Sequence, residues 1–394
     1  MMRYFDWPLF FIVIAISLFG IVCVFSATSS EVTETPSTIM DMIETQSIYY
    51  PRLQFTWMLG GIVAMFAIMI LPYQLYRKYS TWIYLLNITL LMLTLVLAQA
   101  GRGGMTAFLS IGSSDISVQT SELGKVAMII CFAQVFSDRK HNVKKLSEFL
   151  MLTAYMAIPM VLIMFQPDFG TALVYLFVFC VMIFVSGTDT KLLLSLFACV
   201  LILAIPVWYA MNNTSASDNF RLTRILIWLD PDSYPDEARQ VINAQIAVGS
   251  GGIFGKGIVS MGSFASLGYI SDDHTDFIFA IVCESFGLVG GCALVLAYAV
   301  LLFRLIWLSV HTEDPYGAYL IMGVTAMLMF HIVENICMVI GLLPVTGIPL
   351  PFVSYGGSNM VTNMVSIGLV ENVVVRSRQQ SQNRLTSTSR SYSL

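Results

Sequence analysis

Charge is what this chain lacks. Asp, Glu, Lys and Arg together make up 11% of its 394 residues, where a soluble domain carries about 25%. With 57% of positions hydrophobic, that shortage excludes an ordinary soluble enzyme and leaves a membrane-embedded chain. No basic stripe lies on a folded face, which excludes a nucleic-acid partner. The seven cysteines, Cys23, Cys131, Cys180, Cys199, Cys283, Cys292 and Cys337, all fall inside apolar runs without CxxC spacing. They read as small packing residues rather than disulfides or metal ligands. A phosphate loop is missing too. Residues 245–257 are glycine-rich and contain Lys256, but Gly257 stands where GxxxxGK[ST] requires Ser or Thr, and no strand precedes the segment. A glycine-rich re-entrant turn lining a cavity fits that stretch better.

Long apolar runs are what is there. A span needs about 20 mostly apolar residues, and segments near 8–27, 53–72, 81–100, 123–137, 149–166, 169–187, 192–211, 277–303, 316–341 and 357–375 qualify. The expected fold is an all-α integral membrane protein with about ten transmembrane helices, one large extracytoplasmic loop at 212–275, and re-entrant or irregular outer segments. Residues 1–376 form one polytopic domain. The Ser/Gln/Arg-rich stretch 377–394 reads as a disordered cytoplasmic tail. The first run is long for a signal peptide and more spans follow, so it reads as a retained helix. Most Lys and Arg gather in alternate connections and after Val375. By the positive-inside rule both termini are cytoplasmic.

Polar residues between or within these runs are the candidate functional groups. Asp276, in His274-Thr275-Asp276, lies directly against the eighth run. It suits a general base or a cation ligand at a helix mouth, and equally a charge that favours the helix dipole. Glu122 and Lys125 are three apart and share a helix face. They read as a pair pointing into the bundle or as snorkelling interfacial residues. Arg221 and Arg224, three apart in the large loop, suit a pyrophosphate or surface anchoring at anionic headgroups. Asp168 follows Gln166-Pro167 and caps the sixth span. His331, Glu334 and Asn335 lie inside the ninth run and read as interhelical hydrogen-bonding glue rather than a proton relay.

Residues 341–358 are the most informative stretch. Gly341, Gly347, Gly356, Gly357, Pro344, Pro349 and Pro351 break the backbone, and Thr346 and Ser354 add hydroxyls. Irregular backbone at membrane depth is tolerated only where protein buries it or a cavity meets it.

In order along the chain, 274–280 and 343–358, supported by 119–122, 166–171, 224–231 and 249–257, resemble the SEDS family (shape, elongation, division and sporulation), which includes RodA and FtsW. The likeness runs from the first span to Val375, and 330–335 is more similar to RodA than to FtsW. The resemblance implies a peptidoglycan glycosyltransferase. Such an enzyme polymerises lipid II, an undecaprenyl-pyrophosphate-linked disaccharide peptide, at the outer face of the bacterial plasma membrane. It puts the family's essential acid on Asp276 as general base, its Glu and Lys on Glu122 and Lys125, and its loop arginine on Arg224, with Arg221 nearby. Ser354 lies in the signature loop and is expected to meet substrate. An α-linked donor and a β-linked product imply inversion at the anomeric carbon. The resemblance also implies a class B penicillin-binding protein as partner, within the elongation or division machinery. The resemblance fixes no cofactor; a divalent cation, Mg or Mn, could assist. The chain departs from the family at Ala107-Phe108, where Arg-Trp is common, and at Ser271-Asp272, where Pro-Glu is common. Two other classes compete: a lipid II flippase or other lipid-linked transporter, and a non-catalytic scaffold for the transpeptidase. A transporter would place charges near the midplane; here they concentrate on the outer side, which favours the enzyme.

Overall fold

Apolar side chains set the helices of this protein, and short polar side chains set where several of them begin. The structure, a computed structural model, describes residues 2–28, 46–97, 108–110, 117–138, 145–166, 168–192, 194–195, 220–258, 263–264, 269 and 274–391. Helix α1 (Trp7–Thr28) starts where Asp6 Oδ1 accepts the Leu9 N–H at 3.2 Å, satisfying a donor that a helix start leaves unpaired. Helices α2 (Gln46–Ile70), α3 (Tyr73–Lys78) and α4 (Ser80–Leu97) follow. A two-stranded ribbon of β1 (Phe108–Ser110) and β2 (Ser117–Gln119) pairs antiparallel with Phe108 opposite Gln119. Then come α5 (Thr120–Asp138), α6 (Leu146–Phe165) and α7 (Phe169–Val185). Asp168 caps α7 through the Thr171 N–H at 3.0 Å, as its place in the sequence suggests. The large loop holds α8 (Phe220–Leu229) and α9 (Pro235–Ser250). The chain closes with α10 (Ile278–Val310), α11 (Pro315–Val339) and α12 (Gly357–Ser391).

Among the described residues, five helices are long and apolar enough to cross a membrane: Trp7–Thr28, Ile48–Ile70, Leu146–Phe165, Ile278–Val310 and Pro315–Val339. Ser80–Val96 and Phe169–Val185 are shorter apolar helices. Helices α5 and α12 also fall on expected spans but carry buried polar groups, Glu122 and Lys125 in one, Asn363, Glu371 and Asn372 in the other. Helices shielded from lipid by their neighbours can hold such groups. The expected span at 192–211 lies outside the described residues, apart from its first few positions.

Helix α11 is the centre of the bundle. Of its apolar window 67% is buried, against 28–44% for the other four long helices. It packs on α5, α7, α10 and α12, while α12 also lies along α2, and α1 against α2 and α10. His331, Glu334 and Asn335 on α11 are therefore screened from lipid.

Two features differ from the sequence reading. First, α12 continues through 377–391, where an unstructured tail is expected. A helix from Gly357 to Ser391 is about 52 Å long, well over the roughly 30 Å hydrocarbon core, so its last turns stand clear of the bilayer. Arg378 donates to Tyr4 O at 2.9 Å and to Asp6 Oδ2 at 2.6 Å, Tyr4 bonds Gln382, and Arg384 pairs with Glu313 at 2.9 Å. Those non-local partners hold the extension. Second, α10 is not one straight rod. Gly287 leaves helical geometry (φ 68°, ψ −166°). A Cβ placed on Gly291 would lie 3.0 Å from Cys283 Sγ and 3.8 Å from the Phe279 ring; a straight helix would hold those positions about 12 and 18 Å apart along its axis. Residues 278–286 thus form a short arm that turns back toward a longer limb, 288–310. The arm is buried over 278–285, whereas Leu288, Leu296 and Phe303 of the limb are exposed. The limb alone is about 34 Å long and suffices to cross the membrane, so the crossing lies further along the chain than 277–303.

Candidate functional site

The irregular segment 341–358 folds as a buried loop that closes over the start of the α10 arm. Glycine is needed at Gly347, whose φ is 77° and whose α-carbon lies against the site; Phe352 adopts φ 66° although it carries a bulky side chain. A non-glycine residue in the left-handed region is uncommon and marks a backbone held by its surroundings. Asn335 supplies much of that hold. Its Nδ2 donates to Asp276 O and to Ile348 O, both at 2.8 Å. Ser354 Oγ donates to Thr275 O at 2.6 Å and accepts from Leu350 N at 2.8 Å, and Tyr355 N donates to His274 O at 2.8 Å. The His274 ring clusters with Tyr50 and Tyr355, with centroids 4.8 and 5.6 Å away, and the two tyrosine rings meet at 5.1 Å.

These contacts change the reading of Ser354. It is expected to touch substrate, but it is fully buried and its hydroxyl is engaged on both sides. In this structure it braces the backbone that carries Asp276. The His331/Glu334/Asn335 trio is glue in part, as Asn335 shows, yet the other two lie among the charged groups.

Asp276 and Arg224 meet at Gly347. A Cβ there would lie 3.4 Å from Asp276 Oδ2 and 3.8 Å from Arg224 Nη1. Arg224, on α8, also donates to Val345 O at 3.3 Å. Trp228, one turn on, donates from its indole to Gly341 O at 3.1 Å. Helix α8 is amphipathic, and these two bonds lay it on the loop. Burial pushes the Arg224 guanidinium down from its usual value, while Asp276 and Glu334 pull it back up. Glu334 is 2% exposed and accepts a bond from the Thr346 hydroxyl; its Oε2 has no hydrogen-bond partner. Arg224, Trp228, Pro231, Gln245, Gly341 and Val345 line a cleft of about 70 Å³ beside this group.

Glu122 and Lys125 do share a face of α5 and pair at 2.7 Å, both nearly fully buried. Lys125 Nζ also lies 3.1 Å from His331 Nε2. His331 and Glu334 are successive turns of α11, so one helix face joins the Glu122–Lys125 pair to the Glu334–Arg224–Asp276 group. Glu122 Oε2 and His331 Nδ1 are buried without a partner, unusual for charged or polar atoms in a protein interior. Next to the pair, Asp168 Oδ2 accepts from Ser121 Oγ at 2.8 Å and from Gln119 Nε2 at 3.0 Å. Arg221 lies on α8 one turn before Arg224, but its side chain is outside what the structure describes.

Sequence reasoning missed Gln54. It is fully buried on α2, donates to Ser354 O at 2.9 Å and accepts from Gly356 N at 3.2 Å, fixing the far end of the loop. The available signal was a lone amide inside an apolar run, which at membrane depth defaults to an interior role. Among the described residues no group of three or more His, Cys, Asp or Glu is placed to hold a metal ion. Asp276 and Glu334 are carboxylates that act on Arg224, which lines the cleft.

A carboxylate and a guanidinium beside a cleft, with a buried lysine one helix away, can take a proton and stabilise a departing anion. Comparison with known proteins agrees with that chemistry. The sequence profile of the cell cycle protein family FtsW/RodA/SpoVE matches residues 6–379. Stage V sporulation protein E of Bacillus subtilis (strain 168) is 33% identical over 84% of this chain and 88% of its own length. Peptidoglycan glycosyltransferase RodA of Treponema pallidum (strain Nichols) is 28% identical, over 82% of this chain and 89% of its own. Among solved structures, a chain from a study of the structural coordination of polymerization and crosslinking by a peptidoglycan synthase complex superposes with a TM-score of 0.73. It is 28% identical and the match covers 95% of this chain and 99% of that one. The sporulation relative is 33% identical and the RodA relative 28%, so overall identity does not set this chain nearer to RodA.

Proposed function

This chain belongs to the FtsW/RodA/SpoVE family of cell cycle proteins, and on that premise we propose that it is a membrane-embedded peptidoglycan glycosyltransferase whose chemistry is centred on Asp276. The family relatives support the activity; the carboxylate–guanidinium pair at Gly347 is the observation that carries the site. The substrate is lipid II, taken at the outer face of the bacterial plasma membrane. Both termini lie in the cytoplasm, in keeping with the placement of Lys and Arg.

Polymerisation joins a sugar hydroxyl to an anomeric carbon and releases a pyrophosphate. The Asp276 carboxylate accepts the hydroxyl proton as general base. The attacking oxygen forms the new bond to carbon as the bond to the pyrophosphate oxygen breaks, so the anomeric configuration inverts in one displacement. Arg224 meets the pyrophosphate charge. At rest it faces Asp276 and Glu334; the phosphate oxygens replace those carboxylates as its partners, which frees Asp276 for the proton. Lys125 and Glu122 stand behind this group through His331. Lys125 adds positive potential and Glu122 fixes where it points. Arg221 supplements Arg224 on the same helix. Ser354 acts through the Thr275 carbonyl rather than on the sugar. Asp276 and Glu334 are the groups that could hold a divalent cation; such an ion would neutralise pyrophosphate charge. The crosslinking partner is a class B penicillin-binding protein of the elongation or division machinery.

The test is glycan-chain formation from purified lipid II by the full chain with its transpeptidase partner. Polymer from the wild-type protein supports the assignment. A folded, partner-bound protein that makes none would shift it to lipid transport or scaffolding.

A further inference from the structure

The arm of α10 that starts two residues after Asp276 is held at its far end by a structure the catalytic reading does not use. The loop that follows α9 wedges into the corner at Gly287. Lys256 N donates to Glu284 O at 2.9 Å and Gly257 N to Ser285 O at 3.0 Å, while Leu288 N and Val289 N donate to Gly252 O and Ile253 O at 2.9 and 3.1 Å. The corner thereby recovers the backbone bonds that the break in the helix would otherwise leave open. The approach is close enough that a Cβ on Gly251 would collide with Cys283 O.

One side chain gathers the loop. Glu284, 1% exposed on the arm, uses Oε1 to accept from Lys256 Nζ and from Phe264 N, both at 2.8 Å; Ser250 Oγ lies 3.4 Å away and donates to Ala247 O at 2.9 Å. These contacts come from the end of α9, the glycine turn and the segment beyond it. Lys256 in turn lies 5.7 Å from the Phe264 ring. Helix α9 also supplies Gln245 to the cleft at Arg224. A carboxylate buried against donors from two points of one loop is costly unless both are in place, so it specifies a single docked arrangement.

We infer that Glu284 is a positioning residue for the transferase reaction: it staples the α9 loop to the α10 arm, and the stapled arm fixes where Asp276 stands. The inference rests on the reading of Asp276 as the base. Glu284 touches no substrate. It acts through eight residues of arm; the corner end is also held by the backbone bonds to 252–257 and by Ser26 Oγ, 2.7 Å from Ser285 Oγ, and the Asp276 end by the Asn335 and Ser354 bonds. Without the staple the corner keeps its backbone bonds but loses the side chain that gathers the loop against it, and a displacement near 1 Å at the reacting groups can cost about 10²-fold in rate.

The experiment measures kcat and KM for lipid II on the full chain with its partner, together with amide hydrogen exchange at 252–258 and 276–282. Its variants are Glu284→Ala, Glu284→Gln and Lys256→Met. Glu284→Ala should lower kcat about 10²-fold with KM within about twofold, and speed exchange in both segments. Glu284→Gln keeps an acceptor for Phe264 N and should recover about tenfold of that loss, the expected share of a neutral acceptor relative to a charged one. Lys256→Met removes the ion pair from a partly exposed lysine and should lower kcat by about threefold, in the range of a part-exposed pair. If Glu284→Ala does not fold, the other two variants carry the test. Wild-type kcat in the folded variants, or a lowered kcat with exchange at 276–282 unchanged, overturns the inference. Should the wild-type protein make no polymer, the glycosyltransferase reading fails first, and the exchange data alone decide whether Glu284 controls the arm.

Discussion

Two buried clusters of charge sit at opposite ends of this bundle, and they are built differently. At the end that holds the N-terminus, Asp6 is surrounded. Arg304 reaches Oδ1 at 3.1 Å and Oδ2 at 2.7 Å, Arg378 reaches Oδ2 at 2.6 Å, and the Leu9 N–H takes Oδ1 at 3.2 Å. Asp6 N donates in turn to Glu371 at 3.0 Å. Burial raises the Asp6 carboxyl, but the two arginines and the Leu9 bond outweigh it and hold the group below its usual value. This cluster ties the start of α1 to later turns of α10 and α12; the Asp6 carboxylate has its acceptor positions taken, while Glu371 Oε1 beside it is buried without a partner. At the end that holds 341–358, by contrast, Arg224 faces two carboxylates, Glu334 Oε2 and Glu122 Oε2 carry no hydrogen bond, a cleft lies alongside, and Phe352 is held in a sparsely populated conformation. At Asp6 the charge closes on itself, and the cleft lined by Arg224 does not adjoin it. Charge arranged for chemistry stays incomplete until substrate arrives.

Substitutions can break that contrast or sharpen it. The largest expected effect is at Asp276. Asp276→Asn removes a charge and keeps the shape, and polymerisation from lipid II should fall about 10³-fold while thermal stability stays at the wild-type value. Activity within tenfold of wild type would remove Asp276 as the base. Arg224→Ala comes next. It should lower kcat/KM about 10²-fold, and the deficit should be plainest at limiting lipid II; an unchanged rate there would count against the phosphate role. Asp6→Asn should do the opposite of both. Breaking one partner of a buried pair costs about 3–5 kcal/mol. The arginines are 27% and 37% exposed and can rehydrate, which brings the expected loss of stability to about 2–3 kcal/mol. The turnover of the folded protein should not change.

The pH dependence of that stability has a definite sign. The folded carboxyl of Asp6 lies below its ordinary value of 3.8. Its contribution is therefore fully present above about pH 4 and fades as pH falls through the folded value. The difference in melting temperature between wild type and Asp6→Asn should be constant from about pH 5 to 8 and shrink below about pH 4. The smallest effect belongs to Arg384, whose pair with Glu313 is 75% and 64% exposed. Arg384→Ala should change stability by no more than about 0.5 kcal/mol; a larger loss in a melting experiment would show that the extension of α12 beyond the membrane bears on the fold.

The same contrast explains what the sequence could disclose. Glu122 and Lys125 are three residues apart, so their pairing follows from helix geometry alone. The loop at 341–358 announces itself because proline and glycine at membrane depth need a reason. Asp276 stands out because it abuts an apolar run. None of these inferences requires knowing what lies far away in the chain. The Asp6 cluster does, since its arginines are some 300 residues distant in sequence. So does the helical extension past Val375, which persists on bonds to Tyr4, Asp6 and Glu313. The corner at Gly287 is hidden for another reason. Hydropathy is continuous from 278 to 310, and a glycine inside an apolar run looks the same whether the helix bends or not. Ser354 illustrates a third limit: residue type and loop position mark it as functional, but only the fold shows that its hydroxyl turns inward to Thr275 and Leu350.

The most direct measurement sets Asp276→Asn and Asp6→Asn side by side, each assayed for polymer from lipid II and for melting temperature in the same preparation. We expect Asp276→Asn to melt like the wild type and make no polymer, and Asp6→Asn to melt lower and still make it. If Asp276→Asn polymerises while Asp6→Asn, still folded, does not, the chemistry lies at the other end of the bundle.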